Sequence, residues 1–305
     1  MIKYGFNINY WFDEYNLDIH KAMDEISVTG WQGIELVRDQ LEYFYDDFEY
    51  FYNLLRLHNL EITSYYSYLS LIYEERTIPE TEKLKRKSDF LQKLNCQMIL
   101  IDGGIKDPEK NSIDDYKLAV ENVNNIGKVI SEMGMKISWH QHWGSMFDTP
   151  ETLYFLLDNT DPSIIGFCPD TAQLLISGID PCKIFKKYKN RINYIHFKDV
   201  LPNNFLINRK DKVNNLNEID NKNSDSFSRY IYTRDRFLDE GGYHINSKYK
   251  FTEVGRGIID FENICSIINK NGYNGWIVVD QDYTEWPRME SLDVNLKNIK
   301  YFINR

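Results

Sequence analysis

The chain has 305 residues, 42% hydrophobic and 27% charged, which is enough apolar sequence to bury a full core and argues against a disordered protein. Its formal net charge of −10 at pH 7 would repel the phosphates of nucleic acids and anionic lipid surfaces, and no apolar run approaches membrane-spanning length. We therefore expect neither a nucleic-acid nor a membrane partner.

The N-terminal residues and the cysteines bear on the cellular compartment. The sequence MIKYGFNINYW enters a strand pattern at once and lacks the charged segment, apolar run and cleavage site of a signal peptide. The four cysteines occur singly, without a CxxC pair, which is typical of a reducing environment. We expect a cytoplasmic protein, and the sequence leaves a homo-oligomer open as one possible state.

Short β-branched or aromatic runs alternate with longer amphipathic segments along the chain. Strands are predicted at residues 3–9, 33–37, 61–67, 98–102, 136–140, 164–170, 192–198 and 276–280. Helices are predicted at residues 17–27, 41–58, 80–94, 114–133, 149–157, 181–188 and 260–269. This alternation indicates βα units around a parallel sheet, and eight strands predict a single (β/α)8 barrel over residues 1–305.

One connection, residues 201–250, is too long for an ordinary loop and contains the polar run KDKVNNLNEIDNKNSDS. Because loops that follow barrel strands lie on the catalytic face, this segment is predicted to be an active-site lid. The alternative is a surface insertion without a role in the site.

Ionisable side chains stand at the ends of four successive predicted strands, where the apolar residues stop. Residues two apart share one side of a strand, and in a barrel one of those sides faces the interior. These side chains are His140 and His142 on strand five, Asp170 on strand six, His196 and Lys198 on strand seven, and Asp280 and Asp282 on strand eight.

One residue from each of these strands predicts a metal site: His140, Asp170, His196 and Asp280. Two imidazoles and two carboxylates suit one Mn²⁺, Co²⁺, Fe²⁺ or Zn²⁺ ion better than Mg²⁺. Any single His or Asp here could instead cap a helix or complete a hydrogen bond. Four of them in register favour the metal site.

Two further residues are candidates for proton transfer. Lys198 is predicted to point inward beside His196, where burial and a metal ion would lower its pKa; the alternative is an ion pair with Asp170 or Asp282. His142 is predicted to contact substrate or to move a proton.

Substrate contact is predicted for a second group of residues, in which Trp143 would be a core residue or a wall that stacks on a sugar, and Glu35 and Arg256 could equally be solvated or cap helices. The group consists of Glu35, Trp143, Gln173, Arg256 and Asp282. The sequence Gly255-Arg256-Gly257 before a helix could bind a phosphate, but two glycines are a weak signal. An unphosphorylated substrate is therefore favoured.

Six short motifs occur in order at βα spacing: GIEL at 33–36, HQHWG at 140–144, FCPDTA at 167–172, YIHFKD at 194–199, VGRGIIDF at 254–261 and GWIVVD at 275–280. Together they resemble the xylose isomerase-like barrel superfamily, which includes ketose 3-epimerases, hydroxypyruvate isomerases, inosose dehydratases and endonuclease IV. The inosose dehydratase branch is most similar, because it shares the histidine-rich end of strand five and the HxKD end of strand seven.

The resemblance implies a metal set of Glu, Asp, His and Glu, which carries over to His140, Asp170, His196 and Asp280 with two acids replaced. The family also tends to have a histidine where this sequence has Gln173. These departures leave the assignment of the acid and the base open.

The resemblance implies carbonyl chemistry on a small polyhydroxylated substrate. Proton removal beside a carbonyl gives an enediolate, whose charge a divalent ion stabilises. We expect dehydration of a keto-sugar or keto-inositol, as in an inosose dehydratase; a ketose epimerase or sugar isomerase is the close alternative. A non-catalytic sugar-binding barrel and an endonuclease IV-like phosphodiesterase are less favoured, the latter because it needs several metals and a basic groove.

Overall fold

The computed structural model describes residues 1–13, 16–104, 106–107, 109–202, 249–282 and 284–305. The predicted lid at 201–250 lies almost entirely outside these residues and stays a prediction. Both of its ends are described: Asp199–Pro202 pairs antiparallel with Tyr249–Thr252, so the segment leaves and rejoins the barrel at one place beyond strand seven.

Eight parallel strands form the barrel. They are β1 (Lys3–Asn7), β2 (Gly33–Val37), β3 (Glu61–Tyr68), β4 (Met98–Asp102), β5 (Lys136–His140), β6 (Ile165–Cys168), β7 (Ile195–Phe197) and β8 (Trp276–Val279). Their hydrogen-bonded order is β6-β5-β4-β3-β2-β1-β8-β7. All eight predicted strands are present, three of them with the predicted bounds, and the predicted (β/α)8 barrel is confirmed.

The barrel closes between β6 and β7 through two isolated bridges, Phe167 with Ile192 and Asp170 with His196. The buried guanidinium of Arg191 crosses this seam. Its Nε donates to the carbonyl oxygen of Ile165 at 2.9 Å, and its other nitrogens donate to the Leu157 carbonyl and the Thr160 hydroxyl. One side chain therefore supports the side of the barrel that has the fewest strand hydrogen bonds.

Helices cover the outside of the barrel. Those in the described residues are α1 (Ile19–Val28), α2 (Phe48–His58), α3 (Glu74–Lys93), α4 (Ile113–Glu132), α5 (Pro150–Asn159), α6 (Thr171–Ile176), α7 (Pro181–Lys187), α8 (Phe261–Lys270) and α9 (Arg288–Ile303). The helices α6 and α9 were not predicted. The predicted helix 41–58 is divided, because Arg38–Phe44 is a 3-10 helix and Asp47 caps a new start by accepting from Tyr50 N.

Two kinds of side chain fill the barrel interior. An apolar cluster of Met98, Leu100, Cys168, Tyr194 and Val278 lies below. At the level where the strands end, each strand contributes one polar residue, and we call these eight residues the polar ring. Its members are Asn7, Glu35, Tyr66, Asp102, His140, Asp170, His196 and Asp280, in the order of β1 to β8.

The polar ring lies at the C-terminal mouth, the end of a (β/α)8 barrel at which active sites are built. Within the described ranges, none of the helices combines the length and the hydrophobicity that crossing a bilayer requires.

Candidate active site

The four side chains predicted as metal ligands converge at the mouth of the barrel. One ligand atom from each of His140, Asp170, His196 and Asp280 lies within 4.8 Å of the others, and all four residues are buried. Asp170 Oδ2 is 3.9 Å from His140 Nε2 and 4.0 Å from His196 Nδ1. These separations are too long for hydrogen bonds but suit donors that surround one ion.

Asp170 is oriented by the helix that follows it. Its Oδ1 accepts hydrogen bonds of 2.9 Å from the backbone amides of Ala172 and Gln173, so the residue is the N-cap of α6. The other oxygen, Oδ2, is left to face the two histidines. A carboxylate at the end of a strand thus starts a helix with one oxygen and offers a ligand with the other.

The unpaired polar atoms of this group fit a bound cation. Both ring nitrogens of His140, Nδ1 of His196 and Oδ2 of Asp170 are buried without a hydrogen-bond partner. Buried polar atoms are rarely left in this state, because the lost hydration costs free energy. A divalent ion bound by one His140 nitrogen, His196 Nδ1 and Asp170 Oδ2 would compensate three of them, so the site fits a metal ion.

The charged groups at the site shift one another's pKa values. Burial would raise the pKa of Asp280, but Lys198, His196 and His140 outweigh it and hold that pKa well below its usual range. Burial disfavours the charged form of His196, yet Glu35 and the two aspartates raise its pKa to about 9. A metal ion bound through His196 would therefore displace a proton.

Glu35 lies behind His196 rather than at the rim. It is fully buried, and its Oε2 is 2.9 Å from His196 Nε2 and also accepts from Ser64 and Tyr194 at 2.6 and 3.0 Å. Asn7 donates to Oε1 at 2.9 Å. This position does not fit the predicted contact with substrate. It orients the histidine ring so that Nδ1 faces the metal site.

Lys198 is held by carboxylates. Its Nζ lies 2.8 Å from Asp280 Oδ2, 2.6 Å from Asp282 Oδ2 and 3.9 Å from Asp170 Oδ2. Burial alone would lower its pKa, but these three carboxylates together raise the pKa far above its usual range. The predicted lowering of the Lys198 pKa is therefore wrong for the protein without a bound metal ion. The alternative, an ion pair with Asp282, is present. Lys198 remains inward-facing beside the metal ligands.

His142 forms a small network with two other predicted residues. Its Nδ1 is 2.7 Å from the Trp143 carbonyl oxygen, which can only accept, so Nδ1 carries the proton. Its Nε2 faces Gln173 Nε2 at 3.3 Å, and Gln173 Oε1 accepts from Trp143 N at 3.1 Å. Burial lowers the pKa of His142. The ring is thus a neutral acceptor at Nε2, 5.8 Å between ring centroids from His140.

The remaining predicted substrate contacts lie in different places. Asp282 is at the mouth, where it pairs with Lys198. Arg256 is exposed on the loop before α8, with its guanidinium 5.4 Å from the centroid of the Trp286 ring. The structure does not bring Arg256 into contact with the four ligands.

The glycine motif beside Arg256 binds an internal carboxylate. Asp199 accepts from the backbone amides of Gly255, Gly257 and Ile259 at 3.0, 2.8 and 3.2 Å. The amides that would have formed a phosphate site are therefore occupied by the last residue of the HxKD motif. The unphosphorylated substrate stays a prediction.

Three members of the polar ring were not predicted: Asn7, Tyr66 and Asp102. Tyr66 donates its hydroxyl to Asp102 Oδ2, and its ring meets the His140 ring edge-on with centroids 5.0 Å apart. The signal for them was available, because Asn7 and Asp102 also end apolar strands. The pair of ionisable residues two apart that marks predicted strands five, seven and eight is absent from both.

Fold and site together define a (β/α)8 barrel with a buried His/Asp group at its mouth that fits a metal ion. A family profile described as xylose isomerase-like TIM barrel matches residues 23–301, and the chain belongs to that family. Its relatives include the inosose dehydratase of Clostridium beijerinckii, which is 28% identical over 275 residues, covering 86% of this chain and 81% of that protein.

Solved structures with similar folds cover almost the whole chain. The probable 3-DHS dehydratase AsbF of Bacillus anthracis has a TM-score of 0.69 at 17% identity and covers 99% of both chains. The IOLI protein, solved with a zinc atom, has a TM-score of 0.72 at 14% identity and covers 99% of this chain and 98% of its own. At such identities the likeness shows the fold alone.

Proposed function

We propose that the protein is a divalent-metal-dependent lyase that removes water from a keto-inositol or a related keto-sugar, most like an inosose dehydratase. The observation that carries this proposal is the buried group of four potential ligands, three of which have unpaired polar atoms, with a charged lysine beside Asp280 and a neutral histidine acceptor beside His140. The inosose dehydratases among its relatives, at 26–28% identity, support the same reaction.

In this proposal His140, Asp170, His196 and Asp280 hold one Mn²⁺, Co²⁺, Fe²⁺ or Zn²⁺ ion. When bound, such an ion supplies a Lewis acid that stabilises negative charge developing on the substrate's carbonyl oxygen. The protein orients two of the four donors before the ion arrives, because α6 orients Asp170 and Glu35 orients His196.

The acid and base roles follow from which atoms can accept or donate. His142 Nε2 carries the lone pair of the ring, which faces the Gln173 amide in this structure, and with substrate bound it takes the proton from the carbon beside the carbonyl. Lys198 Nζ has only hydrogens to offer and gives one to the hydroxyl that leaves from the next carbon. One C–H and one C–O bond break, a C=C bond forms, and water leaves. The two groups return to their starting forms by proton exchange through solvent.

The test is product analysis by NMR with metal-loaded protein and a panel containing a keto-inositol, ketohexoses and aldoses. We expect loss of water from the keto-inositol. Epimerised or isomerised sugars would instead show that the same two groups reprotonate the substrate, as in the epimerase or isomerase alternative. Retained metal with no product from any compound would contradict an enzymatic role and favour a sugar-binding barrel.

The Lys198→Met variant separates the two roles of the lysine. We expect normal metal content, because an ammonium cannot ligate an ion, together with a loss of turnover of about 10² to 10⁴-fold. Asp282→Asn is the matched control, since it removes one ion-pair partner but leaves the lysine in place. Near-normal turnover in Lys198→Met would leave the residue with a structural role only.

A further inference from the structure

Tyr66 and Asp102 form a hydrogen-bonded pair in the polar ring. They belong to the half of the ring that does not contain the four candidate metal ligands. Both oxygens of Asp102 accept hydrogen bonds, Oδ1 from Gly104 N at 2.6 Å and Oδ2 from the Tyr66 hydroxyl. The carboxylate is therefore fixed by its own turn and by the neighbouring strand. Each of its oxygens retains a second lone pair that can accept a hydroxyl donor.

This pair lies beside the candidate metal ligands at the mouth of the barrel. The ring of Tyr66 packs against His140, whose other neighbours are Asp170 and His196. Tyr66 is partly exposed, whereas Asp102 is only 3% exposed. A substrate bound at the four ligands therefore meets a wall from β3 and β4 that presents a phenol and a carboxylate.

The charge of the residues around the four ligands bears on which substrates can enter. We call the described residues that surround these ligands the inner wall. Its one ammonium group, Lys198, is already bound by Asp280 and Asp282. Five carboxylates lie in it or directly behind it, so the wall stays negative even with a divalent ion in place. They are those of Glu35, Asp102, Asp170, Asp280 and Asp282. An anionic substrate finds no unpaired cation among these residues and faces the fixed charge of Asp102.

We propose that Tyr66 and Asp102 are specificity-determining residues that bind hydroxyls of an uncharged polyol and reject substrates carrying a carboxylate or phosphate. Carboxylate oxygens accept strong, charge-assisted hydrogen bonds from hydroxyl groups, and the same charge repels a second anion in a buried site, where solvent screens charges less. This inference rests on the proposed function, since it assumes that a polyhydroxylated ketone binds at the four ligands.

The test compares two cyclic ketones that both carry hydroxyls, a keto-inositol and 3-dehydroshikimate, of which only the second has a carboxylate. Calorimetric affinity and kcat/KM are measured for the metal-loaded wild type, Asp102→Asn and Tyr66→Phe, together with metal content. Binding is measured separately from turnover, so an inactive protein that still discriminates would count against the proposed reaction and not against this pair.

A second tyrosine–aspartate pair outside the polar ring provides a matched control. Tyr73 donates to Asp107 Oδ2, and Asp107 Oδ1 accepts from the amide two residues on, that of Glu109, as Asp102 Oδ1 does from Gly104. Asp107→Asn therefore removes a charge from the same hydrogen-bonding arrangement. We expect it to leave both affinities unchanged.

For Asp102→Asn we expect affinity for the keto-inositol to fall by about 10-fold to 100-fold, the effect of losing charged hydrogen bonds. Affinity for 3-dehydroshikimate should stay equal or rise, so the preference for the neutral ketone shrinks. Tyr66→Phe should weaken keto-inositol binding with the metal retained. Unchanged preference in Asp102→Asn, wild-type preference for the anionic ketone, or loss of the metal from Asp102→Asn would each overturn the proposal.

Discussion

At the scale of single residues, the site is organised by carboxylates whose two oxygens contact different partners. Asp170 caps α6 with Oδ1 and faces the histidines with Oδ2. Glu35 binds Asn7 with Oε1 and His196 with Oε2. Because Asp170 is held through Oδ1 and His196 is held by Glu35, these two donors are oriented without help from a bound ion.

Replacing Glu35 with Gln tests whether the carboxylate behind His196 tunes the metal site. Glutamine can still accept from His196 Nε2, but it lacks the charge that favours the histidine as a ligand. We expect affinity for Zn²⁺ or Mn²⁺, measured by titration of metal-stripped protein, to fall by about 10-fold to 100-fold. Glu253→Gln is the control, because that buried carboxylate is held by Ser291 and Thr284 and does not contact the ligands. Equal affinities in the two variants would contradict this role.

The sequence predicts the convergence of the four candidate ligands well and the electrostatics around them poorly. His140, Asp170, His196 and Asp280 follow apolar runs, and strand alternation is enough to bring them to one mouth. The pKa of Lys198 depends on three carboxylates from β6 and from the end of β8, and no local pattern shows how close they come.

At the scale of elements, the loop before α8 is shaped by the buried carboxylate of Asp199. Three amides of that loop converge on it, and Gly257 packs directly against it. A Cβ placed on Gly257 would come within 2.2 Å of the Val200 carbonyl oxygen and 2.3 Å of Asp199 Oδ1. Glycine is therefore required there by close approach rather than by backbone torsion.

The Gly257→Ala variant should destabilise the protein by about 1 to 3 kcal/mol, since backbone and carboxylate must move apart to admit the methyl group. Gly178→Ala is a useful comparison, because nothing lies within 4 Å of a Cβ at that site and its φ of +76° is the one source of strain. We expect about 1 kcal/mol there. Urea unfolding of both variants measures the difference, and a smaller loss for Gly257→Ala than for Gly178→Ala would contradict the steric explanation.

Element prediction from the sequence missed one helix because it is short, and on a strand with two apolar faces it gave the strand but not the direction of its last side chain. The helix α6 has six residues, too few for a periodic pattern. On β4, Met98 and Leu100 face the barrel interior while Ile99 and Ile101 pack outside. Because both sides are hydrophobic, the sequence does not show which way Asp102 points.

At the scale of the whole molecule, the barrel depends on the seam between β6 and β7, which bear Asp170 and His196. Arg191 satisfies three acceptors across this seam from a buried position. A lysine lacks the planar array of donors needed to reach all three. Arg191→Lys should therefore cost about 2 to 4 kcal/mol in urea unfolding, because buried acceptors lose their partners.

The exposed pair between Arg305 and Glu262 supplies the control for that variant. Exposed ion pairs contribute little to stability, so Arg305→Lys should leave the unfolding curve unchanged. If Arg191→Lys were also without effect, the seam would be held by its strand bridges alone.

The central claim is that His140, Asp170, His196 and Asp280 bind one divalent ion. Its most direct test is elemental analysis after metal-stripped protein is dialysed against Mn²⁺, Co²⁺, Fe²⁺ or Zn²⁺, for the wild type, His196→Ala and Asp170→Asn. Asparagine still caps α6, so the last variant removes the charged ligand while keeping the helix start. We expect about one ion per chain in the wild type and almost none in either variant. A wild-type chain that retains no ion, or variants that retain as much as the wild type, would contradict the claim.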